Sequence, residues 1–264
     1  MRKLFLTIAA FCGLATITAT AAEFVWKEIQ TNVSTPLYQN RTAMDQSVVN
    51  AAKEYLDNID AVNDGQKINV IRYKVIAYDQ TAGADRSLAG LRKYADDLIA
   101  GTEFEKPLTG VQYVSLFSIW WRQNEQEYAQ AVYDLIRSTP GAKACGDSGL
   151  WAYAIGKYAE AYDLYIASET WPNRAMSIAI NQLNDLPKAF AAAKKITGKT
   201  YNARIVQEVI TMTISKLAGS DAVSAADMKT FLHNVNRKYS SQLIVDKPTW
   251  EPIIAQVRTM LETY

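Results

Sequence analysis

The chain has few of the side chains that bind metal ions or form nucleophile–base pairs. Its 264 residues include one histidine, His233, and two cysteines, Cys12 and Cys145. A zinc site of ordinary type takes several Cys or His ligands, and a serine–histidine–acid triad needs a histidine that an acid holds in place. His233 lies off the apolar face of its predicted helix, so we expect it to face solvent. We therefore predict no metal, no cofactor and no catalytic residue.

Charge blocks of either sign are absent as well. The chain has 28 Lys and Arg residues against 27 Asp and Glu, a formal net charge of +1, and the basic residues do not cluster. Proteins that bind nucleic acid or anionic lipid do so through a basic patch or stripe. We therefore expect neither as a main partner.

The chain has no long hydrophobic run, and its one short run is at the N-terminus. Arg2 and Lys3 precede an apolar stretch from Leu4 to Leu14, and small residues follow as far as Ala22. This pattern is typical of a secretory signal peptide, and the stretch is shorter than the about 20 residues of a transmembrane helix. We predict a signal peptide over residues 1–22 and an exported chain, periplasmic or secreted, with no transmembrane segment.

The two cysteines have different predicted roles. Cys12 follows Phe11, where a lipoprotein has a small residue, so we do not expect a lipid anchor. Removal of the signal peptide leaves Cys145 alone, which excludes an internal disulfide framework. Packing must then stabilise the fold, and we expect Cys145 to be a partly buried thiol.

Helical periodicity extends over most of the remaining chain. Residues 23–40 lack it and include Pro36, so we predict an extended N-terminal arm there. From 41 to 264, apolar residues recur at helical spacing, which predicts a single all-α domain. Residues 67–79 stay open between helix and strand, because part of that segment also alternates as a strand does.

Within residues 111–200 the predicted helices come in pairs. A short corner separates the two helices of a pair, for example at Gly156 and at Asn184, and Gly198 ends the last pair. The predicted helices of 203–264 do not repeat, and Ser224 with Asp227 resembles a capping box that opens one of them. We expect these helices to cover the exposed end of the paired helices.

One pair has a spacing that a known repeat family shares. Small, bulky, small and aromatic residues follow one another at the corner and along the second helix, at Gly156, Tyr158, Ala161 and Tyr165. These offsets resemble those of the tetratricopeptide repeat, and the resemblance is clearest over residues 149–172.

Two neighbouring segments repeat part of this pattern. Residues 128–135 nearly copy its centre, and Asn184, Leu186 and Ala189 match three of its offsets. The resemblance implies a right-handed stack of antiparallel helical hairpins, a TPR-like α-solenoid. It also implies a concave face that binds peptides or protein segments, and it implies no chemistry.

Aromatic residues are concentrated in residues 113–171, and most are expected to fill grooves between helices. Two of them have a neighbour that already occupies the inner face: Trp121 follows Trp120, and Tyr153 precedes Ala154. Aromatic side chains left on a concave surface are good anchors for a peptide or a sugar ring. We predict Trp121 and Tyr153 as partner-binding residues.

Arg122 follows one of these aromatics directly. A guanidinium group can bind a carboxylate through two parallel hydrogen bonds. We therefore predict Arg122 as the polar member of the same partner-binding surface.

Three functions remain open, of which we expect the first. The first is a scaffold for a protein or peptide of the cell envelope. The second is a carbohydrate- or cell-wall-binding module that uses the same aromatics, and the third is a lytic cell-wall enzyme. Residues 146–151 faintly resemble the Gly-x-x-Gly-Leu segment of such enzymes. However, Ala152 replaces their glutamine, and no Glu-Ser pair lies at the proper distance upstream. A tight turn before a helix explains Gly149 better, so we do not expect an enzyme.

Overall fold

The computed structural model describes residues 22–264, which form an all-α fold. The predicted signal peptide and Cys12 lie outside these residues, except for Ala22. Across the described residues, no helix has the length and apolar character needed to cross a bilayer. In chain order the helices are α1 (Trp26–Ile29), α2 (Thr35–Asn40), α3 (Gln46–Asp57), α4 (Asp64–Asp79), α5 (Leu88–Ala100), α6 (Gly110–Ser115), α7 (Gln126–Ser138), α8 (Ser148–Ala154), α9 (Tyr158–Ser168), α10 (Pro172–Asn181), α11 (Leu186–Gly198), α12 (Ala203–Met212), α13 (Ala225–Tyr239), α14 (Gln242–Val245) and α15 (Lys247–Leu261).

Short non-α elements join some of these helices. A wide π turn, Gln30–Ser34, connects α1 to α2, and another, Thr213–Leu217, follows α12. The 3₁₀ turns are Gly83–Arg86, Trp120–Arg122 and Ala142–Ala144. Two short strands, β1 (Ala22–Glu23) and β2 (Ile59–Asp60), pair in parallel.

The N-terminal segment corrects the prediction of an extended arm over residues 23–40. The chain is helical from Trp26 to Asn40, and it packs on α3. Pro36 does not break this helix, because it lies in the first turn of α2, directly after the π turn, where a missing N–H is tolerated. The side chains that bury this segment recur every four residues and are Ile29, Val33 and Leu37.

Residues 67–79, which the sequence leaves open, are helical and belong to α4. The side chain of Asn63 caps this helix by accepting a hydrogen bond from the N–H of Gln66, at 3.0 Å. The buried face follows helical spacing and includes Ile68, Ile71 and Val75. Burial on one side of α4 therefore decides between the two periodicities.

The predicted corners at Gly156 and Asn184 lie between α8 and α9 and between α10 and α11, and α11 ends at Gly198. In the first predicted pair, α6 ends at Ser115 and so is shorter than expected. Helix α8 packs on α9, α9 on α10, and α10 on α11. The corners at Gly156 and Asn184 both have positive φ, of 78° and 50°, and each lies two residues before the second helix of its pair. Glycine enters this left-handed region freely and asparagine does so more readily than most residues. Both corners thus place a left-handed residue two positions before the second helix.

Gly149 corrects a second expectation, because it does not form a tight turn. It is the second residue of α8 and lies against the ring of Tyr165 on α9. A Cβ at Gly149 would lie 2.6 Å from the Cγ atom of that ring. The missing side chain therefore sets how closely α8 and α9 approach.

The last helices pack on the end of the paired region. Helix α13 packs on α11 and on α15, and α15 also packs on α12. Ser224 caps α13 as predicted, since its Oγ accepts a hydrogen bond from the Asp227 N–H at 3.0 Å. The buried hydroxyl of Tyr239 donates to the Ile196 carbonyl at 2.9 Å and so joins α13 to α11.

Candidate functional site

The structure reverses the predicted orientation of the two adjacent tryptophans. Helix α6 ends at Ser115, before Trp120, so the helical periodicity that would turn Trp120 inward does not reach it. Trp120 is 45% exposed and stacks on Tyr38, with ring centroids 5.0 Å apart. Trp121 is the inner residue of the two and packs against the core.

Trp121 lines a small cavity of about 140 Å³, which we call the Arg72 cavity. Its wall includes Arg72 and Ile76 from α4, Leu37 from α2 and Ser118 from the segment after α6. The indole nitrogen of Trp121 is buried and has no hydrogen-bond partner among the described residues. Trp121 is partly exposed, but its indole N–H does not face solvent.

Arg122 lies in the interior, 5% exposed, at the centre of an ion cluster. Its Nη1 donates to Asp79 Oδ1 at 2.6 Å and to the Arg86 carbonyl at 2.8 Å. Its Nε and Nη2 donate to Glu125 Oε2 at 2.9 and 2.6 Å. The guanidinium also lies 3.7 Å from the ring centroid of Tyr128. Since contacts within the chain occupy all three nitrogens, we assign Arg122 a structural role.

Asp79 is the fully buried acid of this cluster. Its Oδ1 lies 3.3 Å from Arg86 Nε in addition to its bond with Arg122. Burial raises the pKa of Asp79, and attraction to Arg122 and Arg86 opposes that shift. The cluster joins α4 to the turns on either side of α5 and α6, and so it positions the turn that carries Trp120 and Trp121.

Tyr153 lies on the surface, 42% exposed, in a different cavity from Trp121. This Tyr153 cavity has a volume of about 240 Å³, and its wall includes Gln123, Tyr165, Arg174 and Ser177. Tyr153 also packs against Tyr158, at 5.3 Å between ring centroids. The two predicted aromatic anchors therefore do not share one cavity.

A larger groove adjoins the Tyr153 cavity. It has a volume of about 650 Å³ and lies between α10 and α12, and we call it the α10–α12 groove. Arg174 and Ser177 line both the groove and the Tyr153 cavity. Side chains from α8, α10 and α12 thus contribute to one connected surface.

The wall of the α10–α12 groove holds two buried polar atoms without partners among residues 22–264. Asn173 is 8% exposed. Its Nδ2 donates to Glu208 Oε2 at 2.5 Å, while its Oδ1 is unpaired. The indole nitrogen of Trp171 is the second unpaired atom. The residues of the wall therefore include one unsatisfied acceptor and one unsatisfied donor.

Charges surround these two atoms. The Arg174 guanidinium lies 4.8 Å from the centroid of the Trp171 ring and donates to the Tyr165 hydroxyl at 3.2 Å. Arg174 forms no ion pair with a carboxylate within residues 22–264. Arg204 Nε lies 2.9 Å from Glu208 Oε1. Desolvation acts to raise the pKa of Glu208, but hydrogen bonds from Asn173 and Arg204 outweigh it and hold that pKa below its usual value. Glu208 is therefore ionised at neutral pH.

The remaining titratable candidates lie apart from this surface. His233 is exposed, as expected. Cys145 is buried, and burial raises the pKa of its thiol, which disfavours the reactive thiolate. In the part of the chain that the structure describes, no three His, Cys, Asp or Glu side chains cluster as metal ligands would.

The sequence alone does not predict Asn173, Arg174 or Glu208 as site residues. A signal for one of them was present, because Asn173 and Ser177 place polar groups one helical turn apart on α10. The pairing of Asn173 with Glu208 joins residues 35 positions apart and leaves no local pattern. No family model, curated protein or solved structure matches this chain.

Proposed function

We propose that this chain is an exported, TPR-like scaffold that binds an extended segment of a partner protein in the α10–α12 groove. The observation that carries the proposal is the unpaired Asn173 Oδ1 and Trp171 Nε1 in the groove wall. The export half of the proposal rests on the predicted signal peptide, from which we expect a partner in the cell envelope.

The equivalent corners at Gly156 and Asn184 support a repeat architecture. Each corner joins a first helix, α8 or α10, to a second helix, α9 or α11. In a right-handed stack of such hairpins, the first helices of successive units form one face. Helices α8, α10 and α12 follow this order, and their side chains line the Tyr153 cavity and the α10–α12 groove.

An extended peptide fits the two unpaired wall atoms. A buried polar atom without a partner costs about 1–3 kcal/mol, so a ligand that supplies the partner recovers that free energy. A peptide backbone carries both kinds of partner: its C=O can accept from Trp171 Nε1, and its N–H can donate to Asn173 Oδ1. These contacts hold the backbone and do not select a sequence.

Side chains on the same surface supply the selectivity. Arg174 has no paired carboxylate within the described chain, so an acidic residue of the partner would complete a charge-assisted bond there. Tyr153 lines the same cavity as Arg174 and offers a partly exposed ring to an apolar side chain. We therefore expect the bound segment to carry an acidic and an apolar residue close together.

Selection from a random peptide library on the chain from Glu23 to Tyr264 tests this function. We expect selected peptides to share an acidic residue and to lose about tenfold in affinity by calorimetry with Arg174→Gln, since a charge-assisted hydrogen bond contributes about 1.5–3 kcal/mol. Tyr153→Ala should weaken the same peptides. The matched control is Arg237→Gln, which alters an exposed arginine on α13. Selected peptides that bind wild type and Arg174→Gln equally would contradict the proposal.

Carbohydrate binding is the second candidate, and the exposed Trp120 favours it. The Trp120 indole stacks on the Tyr38 ring, and the Arg41 guanidinium lies 4.2 Å from the centroid of that Tyr38 ring. This arrangement presents a flat aromatic surface to solvent, as sugar-binding platforms do. Retention on insoluble peptidoglycan that Trp120→Ala abolishes and Tyr153→Ala leaves intact would place this function first.

A further inference from the structure

The Arg72 cavity lies away from the α10–α12 groove and has a different composition. It is small, about 140 Å³, and forms where α2, α4 and the turn before α7 meet. Ser118 in its wall is 2% exposed, so this part of the wall belongs to the protein interior.

Three polar groups around this cavity have no hydrogen-bond partner. Among residues 22–264, Arg72 Nε, Ser118 Oγ and Trp121 Nε1 are buried and unpaired, and all three residues line the cavity. Each of these atoms can donate a hydrogen bond, and two of them can only donate. Because buried polar atoms are nearly always paired, three unpaired donors at one place call for an acceptor.

The cavity also has an unbalanced positive charge. Arg72 forms no ion pair and no side-chain hydrogen bond within the described residues, and no acidic residue lines the cavity. Arg72 is partly exposed, and its buried Nε has lost water and gained no partner, which is costly for a cation. The acceptor that completes this cavity should therefore be an anion.

The walls and the volume narrow the chemistry of that anion. Leu37, Ile76 and the Trp121 ring are apolar, which disfavours a strongly hydrated dianion such as phosphate. A single guanidinium matches a single negative charge, and its planar donors suit a carboxylate. A cavity of about 150 Å³ in another protein accommodates benzene, so the ligand also has room for a short apolar body.

We propose that the Arg72 cavity binds a monocarboxylate with a short branched or cyclic apolar body. The Arg72 guanidinium, the Ser118 hydroxyl and the Trp121 indole N–H would donate to its two oxygens. The carboxylate is either a free small acid or the C-terminus of a peptide chain with a small apolar last residue. This site does not depend on the proposed function of the α10–α12 groove.

Indole N–H resonances of the ¹⁵N-labelled chain provide the test, with Trp121→Phe to assign the Trp121 signal. The probes are sodium isobutyrate and its neutral amide, isobutyramide, at matched ionic strength. We expect isobutyrate to shift the Trp121 signal saturably and isobutyramide to leave it in place. An equal shift of the Trp121 signal with isobutyramide would contradict a carboxylate site. No shift with either probe would exclude a free small acid as the ligand.

Two further probes separate the sources of the carboxylate. A tripeptide that ends in valine, with a free carboxyl or with an amide, tests a chain terminus. Binding of the free-acid peptide alone, without isobutyrate, would support the site and identify a chain end as its ligand. A shift with inorganic phosphate alone, or with none of the probes, would overturn the proposal and leave a hydrated cavity.

Variants show whether the three donors act as proposed. Arg72→Gln should weaken binding about tenfold or more, and Ser118→Ala about fivefold, because the first removes a charged donor and the second a neutral one. Ser118→Ala removes one buried oxygen only. It can therefore still test the site if Arg72→Gln does not fold. Arg92→Gln is the matched control, since Arg92 donates to Tyr113 and lines none of these cavities. If Ser118→Ala, and also Arg72→Gln where it folds, bind the ligand as tightly as wild type does, the assignment is wrong.

Discussion

Two successive regions of this chain are held together by different contacts. Around α4 and the turn before α7, the interior contains the Asp79–Arg122 ion pair and the unpaired donors of the Arg72 cavity. From α8 to α11, the interior is rich in small and aromatic residues such as Ala161 and Tyr165. The first region thus adds a buried ion pair to its apolar core, and the second relies on close helix packing.

This difference determines what a substitution does in each region. A buried ion pair has specific partners, so the removal of one leaves a charge in the interior without compensation. Packed alanines have no such partners, and their substitution costs only volume or shape. Substitutions in the two regions should therefore differ in size and in how they can be rescued.

The largest effect is expected for Asp79→Ala. It leaves Arg122 without its buried carboxylate partner, so we expect the free energy of unfolding to fall by about 3–5 kcal/mol. Urea denaturation of the chain from Glu23 to Tyr264 measures this loss. Asp163→Ala, an exposed acid on α9, is the control and should change stability by no more than about 0.5 kcal/mol.

A double substitution sharpens the same prediction. Asp79→Leu with Arg122→Met removes both charges and keeps similar volumes, so most of the lost stability should return. If Asp79→Ala costs no more than Asp163→Ala, or if the double variant is less stable than the single one, the ion pair is not what joins these elements.

The same contrast explains how far the sequence predicts this fold. The helix pairs of α8 to α11 follow from local spacing, since the residues that pack lie within a few turns of one another. Asp79 and Arg122 are 43 residues apart, and nothing near either residue indicates the other. Arg122 was therefore predicted as a surface residue, although its charge is satisfied in the interior.

The candidate site divides in a similar way. Tyr153 could be predicted as exposed because α8 is a regular helix whose inner face is visible in the sequence. The exposure of Trp120 could not, because it depends on where α6 ends and on the 3₁₀ turn that follows. Asn173 could be identified as polar, but its unpaired oxygen results from a contact with α12 that no local pattern encodes.

A smaller effect is expected for Gly149→Ala, which tests close packing in the second region. The new Cβ would lie 2.6 Å from the Tyr165 ring, so α8 and α9 must separate or the ring must move. Overpacking of this kind costs about 1–3 kcal/mol. Gly198→Ala is the matched control, because no atom lies within 4 Å of the added Cβ there. Equal denaturation midpoints for the two variants would show that the α8–α9 contact is loose.

The smallest effect is expected at Gly156, where only the backbone opposes a side chain. Its φ is 78°, and no atom lies within 4 Å of an added Cβ. Alanine should therefore cost about 1–2 kcal/mol through the left-handed conformation alone. Asparagine should cost clearly less, because Asn184 already adopts positive φ at the equivalent corner. Denaturation of Gly156→Ala and Gly156→Asn, with Asn184→Gly as the reciprocal change, compares the two corners directly. Equal losses for alanine and asparagine would mean that the corners are not interchangeable, and the repeat would then lie in the spacing of the sequence and not in the turn geometry.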